Sequence, residues 1–505
     1  MISNIQSPQV LKNLVGDDLL IGLGENFQAF QNELIWQVTS NSREVDEFSG
    51  KGAILFFALA GEHFDGHDFI DDIFQKNPSA IILSEKDPRS LPPRSIRVHN
   101  IRKAMAVIAK RFFADPDAKL NLIGVTGTNG KTTTKYLCRA MLNTISKTGM
   151  LGTVEYDVCG KIKKVPNTTP EAIVSFQMLA EAVQNGCRNL ALEISSHALE
   201  LKRTYGLEID VAIFTNLSPD HLDFHGNLDD YFLAKKKLFH GFNGYKPKHS
   251  IVNIDDAYGR QLFHSLKNDS ETPVSFGFSK DADFKICNVK KNDINGAIFT
   301  IVTPKQSYEF RSHLFGHYNL QNIAASFAAC MMIYEEPERF IGAVADFQGV
   351  PGRMDKVILP NGATAFVDYA HTPHALSATI ESLRSTKKGR LIAVFGCGGN
   401  RDTTKRAPMT RIVNEGSDFA IATSDNPRHE PQDNIFSDME RGVVDANKIV
   451  FVEDRKEAII KAIQLSQAGD IILVAGKGHE TYQRVNDKIF DFDDRRIIRE
   501  VSGLC

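Results

Sequence analysis

Short apolar runs recur along this 505-residue chain, each followed by a polar or glycine-rich turn and then a stretch with helical spacing. The runs are Ala53 to Leu59, Ala80 to Leu83, Leu120 to Val125, Leu190 to Ile194, Val211 to Asn216 and Ile251 to Asn253, then Ala365 to Asp368, Leu391 to Phe395, Phe419 to Thr423 and Ile471 to Ala475. Each has the length of a buried strand. Strands that alternate with helices predict mainly parallel sheets, whose ligands sit beyond the strand carboxyl ends. The fold class is therefore α/β, and a chain of this length needs more than one core. Arg111 to Lys119, with Asp115-Pro116-Asp117, predicts a linker, and Gly349, Pro351 and Gly352 break a helix-rich pattern further on. The predicted division is a small N-terminal α/β domain over 1–115, a central domain over 116–347 and a C-terminal domain over 348–505.

Composition narrows the possible partners. With 59 Lys and Arg against 62 Asp and Glu, and no basic block, the chain has none of the electrostatic footprint of a nucleic-acid binder. Its seven cysteines, Cys138, Cys159, Cys187, Cys287, Cys330, Cys397 and Cys505, are scattered and lack any C-x-x-C spacing, which predicts reduced thiols. Asp17 and Asp18 interrupt the N-terminal stretch where a signal peptide needs an apolar core, and no run approaches membrane-spanning length. The expectation is a cytoplasmic protein with no membrane insertion. Gly61 to His67 reads as a solvated polar turn.

The run Leu120 to Val125 leads into Gly124-Val125-Thr126-Gly127-Thr128-Asn129-Gly130-Lys131-Thr132-Thr133-Thr134. Glycines here let backbone N–H groups face a phosphate chain, and the helix expected from Thr132 adds its positive end. Lys131 then reaches the β/γ-phosphates of a bound nucleotide, and Thr132 offers a hydroxyl to Mg2+. Val125 stands where the strict motif has its first glycine, so this is a variant phosphate loop on a P-loop-type sheet. Other polar groups gather at neighbouring strand ends: Glu193 with Ser195, Ser196 and His197 after one, Asn216 with Asp220, His221 and Asp223 after another. A carboxylate and an imidazole there can complete the coordination of a phosphate-bound magnesium. Tyr231 to Phe239 reads as an amphipathic helix with a basic face.

Taken together, these motifs resemble the Mur ligases, ATP-dependent amide-forming enzymes of peptidoglycan precursor synthesis, and within them the UDP-N-acetylmuramoyl-tripeptide synthetases. The resemblance is carried by Thr126 to Thr133, Asn167-Thr168-Thr169-Pro170, Glu193 to His197, Asn216 to Asp223 and Ala234-Lys235. It continues through Pro351-Gly352-Arg353, Asp368 to Pro373, Gly396 to Asp402, Asp425-Asn426-Pro427-Arg428 and Gly476 to Glu480. It implies ATP around Gly127, Thr128, Asn129, Gly130, Lys131, Thr132, Thr133, Asn319, Arg353, Asp368 and His371. It implies a catalytic set of Lys131, Glu193, His221 and Lys235, with Lys235 carbamylated and joining Thr132, Glu193 and His221 as a metal ligand. Ser42, His63, Asn167, Thr168, Thr169, Ser195 and Arg203 match contacts to the UDP-muramoyl-dipeptide substrate. A departure lies in the first domain, where Asn41 replaces the family's usual aspartate. The C-terminal unit is implied to be a Rossmann-like open sheet without a dinucleotide, and the protein a monomer.

Asp425-Asn426-Pro427-Arg428 bears on substrate choice. With Arg401, Glu480 and Gly476 in loops after other strands of the same sheet, a guanidinium pair can clamp a carboxylate while Glu480 holds an ammonium, which describes an amino-acid zwitterion. In the family this motif accompanies meso-diaminopimelate, whereas lysine-adding enzymes carry another residue in place of the arginine. Two other readings remain: another ATP-dependent amino-acid ligase of the superfamily, such as a lysine-adding, MurF-like or folylpolyglutamate-type enzyme, and a non-catalytic structural homologue. The first should lack the Arg401, Arg428 and Glu480 constellation, and the second is free to lose Lys131 or Lys235.

Overall fold

The computed structural model describes residues 7–504 apart from 17, 21–24, 49–51, 62–63, 88–89, 164, 166 and 270. His63 and Cys505 lie outside the described residues. Strand Asn121–Thr126 runs parallel to Asn189–Glu193 on one side and Val211–Phe214 on the other, inside an eleven-stranded mixed sheet. The chain builds Thr148–Leu151 and Asn189–Glu193 on one side of Asn121–Thr126, then crosses to Val211–Phe214, His249–Asn253 and Val274–Gly277 on the other. Strand order reverses at that point, and a crevice opens beyond the carboxyl ends of such strands. Glu193 is paired with Val125, and Phe214 with Thr126, so the loops after all three strands emerge together.

Both faces of this sheet are covered. Leu122, Leu190 and Phe214 pack into one cluster, while Ile123, Ala191 and Ile213 pack into another with Leu137 of helix Lys131–Asn143. Burial on both faces is why these strands read as uninterrupted apolar runs. The far edge was not anticipated: Phe284–Asp293, Gly296–Val302 and Ser307–Ser312 form an antiparallel meander. Exposed and buried residues alternate along Ser307–Ser312, so half of its positions are polar and the apolar run never forms.

Two smaller sheets flank the first. Gln9–Val10, Leu34–Thr39, Ala53–Phe57, Ile81–Ser84 and Ser95–Arg97 form a five-stranded sheet, antiparallel only at its first pair. In the six-stranded sheet, Asp355–Ile358 lies antiparallel at the edge, and Thr364–Asp368, Ile471–Ala475, Leu391–Cys397, Phe419–Ser424 and Ile449–Phe451 follow in parallel. Its register brings Asp368 beside Ala475 and Cys397 beside Ser424, again collecting loops at one end. A hairpin, Tyr482–Val485 with Lys488–Asp491, stands apart.

Two expectations change. The stretch read as a linker is a pinned junction: Lys110 Nζ donates to Asp117 at 2.8 Å, Glu208 at 2.7 Å and the Gly206 carbonyl at 3.0 Å, with Asp117 buried. One apolar cluster runs through it from Phe112 to Leu122. Cys159 and Cys187 are not reduced thiols but a disulfide, with Cα atoms 6.1 Å apart; Cys138, Cys287, Cys330 and Cys397 are free. The turn after Tyr156–Asp157 folds back onto the loop that enters Asn189–Glu193, a meeting that a separation of 28 residues does not announce. At the end of the polar turn His67 bridges Asp65 at 2.5 Å and the Ser84 hydroxyl at 2.7 Å, while Phe64 within the turn is exposed, as a solvated turn requires.

Candidate active site

Helix Lys131–Asn143 begins at Gly130 with no side-chain cap and no acidic residue in its first turn, so its leading N–H groups are left for an anion. Gly130 has φ +87°, and a Cβ there would lie 2.4 Å from Asn322 Oδ1; at Gly127, with φ +144°, it would lie 1.9 Å from Thr215 Oγ1. The loop is braced by the next strand's end. Asn129 N donates to Asn216 Oδ1 at 2.9 Å, Thr128 N to the Asn216 carbonyl at 2.9 Å, and Thr215 Oγ1 to the Asn129 carbonyl at 2.7 Å. Lys131 curls back over the loop, its Nζ donating to the carbonyls of Gly127 at 2.9 Å and Thr128 at 2.7 Å. Thr132 and Thr133 are buried beneath it.

Glu193 lies beside this loop. Its Oε2 accepts from Thr132 Oγ1 at 3.1 Å and Thr153 Oγ1 at 2.9 Å, and its Oε1 accepts from Thr153 N at 3.0 Å and pairs with Lys135 Nζ at 3.1 Å. Burial pushes its carboxyl upward in pKa, but the charges of Lys135, Lys131 and Arg353 outweigh burial and hold it below the usual carboxylate range. Neither Lys135 nor Thr153 was singled out from sequence. The only trace of Lys135 there is its place one helical turn beyond Lys131, on the same face.

His221 follows the third strand, in a left-handed conformation at φ +55°. Burial drives its imidazolium down to about 4 despite the opposing charge of Asp220, 3.5 Å away, so the ring is neutral at pH 7. Asp220 is one of the strand-end carboxylates expected near the metal, and it stands beside the imidazole. Helix Leu228–Lys236 delivers Lys235, whose buried Nζ donates to the Gly127 carbonyl at 2.9 Å and lies 4.4 Å from the centre of the Tyr231 ring. Burial, then the charge of Lys131, lowers its ammonium well below the ordinary lysine range. Lys237 pairs with Glu200 at 2.6 Å. Thr132 Oγ1 and Glu193 Oε2 are adjacent oxygen donors of the kind a hard divalent cation takes. Among the described residues, no three His, Cys, Asp or Glu side chains gather closely enough to hold a metal by themselves.

The C-terminal sheet closes the site. Arg353 Nη2 reaches Thr132 Oγ1 at 3.3 Å, and its guanidinium lies 4.3 Å over the Tyr369 ring. Asp368 accepts from Met354 N and Ala370 N at 2.8 and 2.9 Å, and His371 Nδ1 lies 2.6 Å from the Tyr369 carbonyl. Asn319, on helix His317–Ile333, accepts from Asn322 behind the loop. Thr128 to Thr133, Glu193, His221, Asn319, Arg353, Asp368 and His371 line one cavity of about 430 Å³.

The expected substrate contacts cluster beside Glu193. Thr168 and Thr153 hydroxyls meet at 3.2 Å, Thr169 Oγ1 donates to the Glu193 carbonyl at 2.8 Å and accepts from Ser195 N at 3.1 Å, and Arg203 reaches the Thr169 carbonyl at 3.3 Å. The Asn167 carbonyl accepts from Tyr156. Ser42 opens a 3₁₀ turn of the first sheet's unit, away from this cluster, where Asn41 Oδ1 accepts from Arg43 N at 3.2 Å.

Beyond His371 and Tyr369 lies the arginine-bearing loop. Arg428 has φ +55°, its N donates to the Arg484 carbonyl at 3.1 Å, and its carbonyl accepts from Asn486 N at 2.6 Å. Its Nη1 donates to the carbonyls of Gly399 at 2.9 Å and Asn426 at 3.3 Å. Burial and the neighbouring charge of Arg401 both lower the pKa of the Arg428 guanidinium. Glu480 accepts from Asn426 Nδ2 at 2.9 Å and from buried Lys477 at 3.1 Å. Burial and the carboxylate of Asp425 raise its pKa, with Lys477 opposing. A Cβ on Gly476 would sit 2.8 Å from Asp425 Oδ2, and Pro427 leads directly into Arg428. Lys477 lies within the Gly476 to Glu480 motif, which by itself assigns it no role.

Known proteins share this arrangement. Residues 125–330 match the Mur ligase middle domain, and residues 352–478 the Mur ligase glutamate ligase domain. The chain is 40% identical over 450 residues to a protein of Solibacter usitatus named UDP-N-acetylmuramoyl-L-alanyl-D-glutamate–2,6-diaminopimelate ligase, covering 89% of this chain and 90% of that one. It is 38% identical over 467 residues to the Aquifex aeolicus protein of the same name, covering 92% and 93%. A solved structure of a ligase with that name superposes with a TM-score of 0.69 at 30% identity, covering 99% of both chains. The MurF ligase of Thermotoga maritima shares the fold, with a TM-score of 0.60 at 19% identity over 93% of this chain and 97% of that one. With the phosphate loop, Glu193 and the arginine-bearing loop placed as described, and with these relatives matching it nearly end to end, the chain belongs to the Mur ligase family.

Proposed function

We propose that this protein is an ATP-dependent ligase that joins meso-diaminopimelate to the D-Glu carboxylate of UDP-N-acetylmuramoyl-L-Ala-D-Glu. The observation that carries this is continuity between two corners: Arg353 touches Thr132 beneath the phosphate loop and lies over Tyr369, whose ring also meets those of His371 and of His479, one residue before Glu480. A nucleotide in the first corner and an amino acid in the second would meet across a short span. The names of the relatives support the substrate pair, and the ADP bound to the Thermotoga MurF supports the nucleotide.

In this reading the D-Glu carboxylate oxygen attacks the γ-phosphorus, the bond to the β-phosphate oxygen breaks, and ADP leaves. The amine of the incoming amino acid then attacks the acyl carbon and expels phosphate. Lys131 and the free N–H groups of helix Lys131–Asn143 neutralise and orient the triphosphate, and Arg353 adds charge from the opposite wall. Thr132 and Glu193 hold Mg2+, which supplies charge neutralisation on the phosphates, with neutral His221 nearby. Lys235 is assigned as a carbamate: its ammonium loses a proton, and the amine bonds to CO2 and releases a second, leaving an anionic oxygen donor where a cation stood beside the phosphate loop. Arg428 and Arg401 receive a carboxylate of the amino acid, and Glu480 its ammonium.

Phosphate release with ATP, the UDP-muramoyl-dipeptide and each candidate amino acid tests the proposal. Meso-diaminopimelate should support turnover far better than lysine, and 18O placed in the dipeptide's terminal carboxylate should appear in the released phosphate. Equal turnover with lysine overturns the amino-acid assignment, and phosphate free of label overturns the acyl phosphate.

A further inference from the structure

Lys135 is fully buried, yet it does not line the nucleotide cavity, whereas its partner Glu193 does. The ammonium stands behind the carboxylate, 3.1 Å from Oε1 and 4.9 Å from the centre of the Tyr136 ring. The two carboxylate oxygens are thereby divided. Oε1 meets Lys135 and the Thr153 N–H, while Oε2 meets the hydroxyls of Thr153 and Thr132, the latter on the phosphate loop. Gly152 closes the arrangement from the side: a Cβ there would lie 2.2 Å from Glu193 Oε1 and 2.5 Å from Lys135 Nζ. The pair occupies a slot that admits no side chain at that position.

We propose that Lys135 is a positioning residue that holds Glu193 Oε1 from behind, so that Oε2 alone faces Thr132 and the cation accompanying the triphosphate. This rests on the nucleotide–magnesium reading of the site given above. One consequence follows from the geometry. Glu193 would serve as a one-oxygen ligand whose placement, and so its affinity for the cation, depends on Lys135.

The test is the affinity of the full-length protein for a non-hydrolysable ATP analogue, AMPPNP, with magnesium and with EDTA. Groups behind a metal ligand typically change metal affinity by about 10–100-fold when removed. Lys135→Met should therefore weaken Mg–AMPPNP binding by about tenfold or more while leaving affinity in EDTA unchanged, and Lys135→Arg should recover part of the loss. Gly152→Ala keeps the charge but displaces the pair, and should show the same magnesium-specific loss. It decides the matter if Lys135→Met does not fold. A loss equal in magnesium and in EDTA makes Lys135 merely structural, and an unchanged magnesium dependence in both variants removes the proposal. Wild-type protein that fails to bind AMPPNP under either condition would instead sink the nucleotide reading itself.

Discussion

The phosphate-loop corner and the arginine-loop corner are built by opposite means. The first is made of backbone: glycines at positive φ, an uncapped helix start, and the carboxyl ends of three adjacent parallel strands. The second is made of side chains on loops, with Arg428 steered by carbonyls of Gly399 and Asn426 and clamped by the hairpin through Arg484 and Asn486. Backbone presents the same donors whatever the neighbouring side chains, so it suits a ligand part common to a whole family, a triphosphate. Side-chain clamps can be exchanged residue by residue, which suits the part by which such enzymes differ.

That contrast can be broken most severely from beneath the second corner. Buried Arg455 pairs with Asp494 at 2.8 and 2.7 Å and donates to the carbonyls of Ala475 at 3.0 Å and Ser424 at 3.5 Å, the strand ends that carry Gly476 and Asp425. Arg455→Met should destabilise the protein by about 3–5 kcal/mol, since it leaves a buried carboxylate unpaired. Chemical denaturation measures this, and a variant as stable as wild type would show that the strand ends hold without the clamp.

Next in size is Lys131→Ala, which should lower kcat by about 10²–10³-fold, the usual loss for one preorganised charge donor in a closed site. The helix start and the braced loop remain, so nucleotide binding should survive better than turnover; equal losses in both would mean that Lys131 serves binding alone. Lys235→Ala should lose about 10–100-fold, the range for a group that tunes a metal site, with partial recovery on adding a short carboxylate. Full activity in this variant would rule out the carbamate.

Arg428→Ala sharpens the comparison because it should touch only one corner. Removing a buried partner of a carboxylate costs about 1–3 kcal/mol, so the KM for meso-diaminopimelate should rise about 10–100-fold and its advantage over lysine narrow, while the KM for ATP stays constant. A variant with wild-type preference would place discrimination elsewhere. The smallest effect concerns pH. Burial lowers His225, whose Nε2 lies 2.8 Å from Ser196 Oγ, to about 4, and His479 to about 3. A base with a depressed folded pKa binds fewer protons folded than unfolded, so stability rises with pH across that window and is lost as pH falls from about 6.5 toward 4. His225→Gln should flatten the dependence of Tm on pH between those values, and an unchanged slope would assign the acid sensitivity to other groups.

How far the chain could be read in advance follows the same division. The strand Asn121–Thr126, its loop and Lys131 were legible because a doubly covered strand is an unbroken apolar run and its glycines are contiguous with it. Glu193, Asn216 and His221 were legible as polar residues at strand ends, and Arg428 as part of a four-residue motif. The meander Phe284–Ser312 was not, because Ser307–Ser312 alternates exposed and buried positions and Phe284–Asp293 is mostly polar over its second half. Nor were Lys135, Thr153 or Lys477, polar residues that no short motif assigns a role.

By itself, then, the order of residues determined the local elements: which runs become strands and where a helix begins after a glycine-rich loop. These depend on periodicity and backbone preference, which act within a few residues. Tertiary structure alone decided that Lys135 stands behind Glu193, that Cys159 meets Cys187, that Arg353 crosses 221 positions to Thr132, and that Lys110 pins the first junction. Such pairings depend on strand order and register, which bring together residues whose separation along the chain carries no signal of their contact.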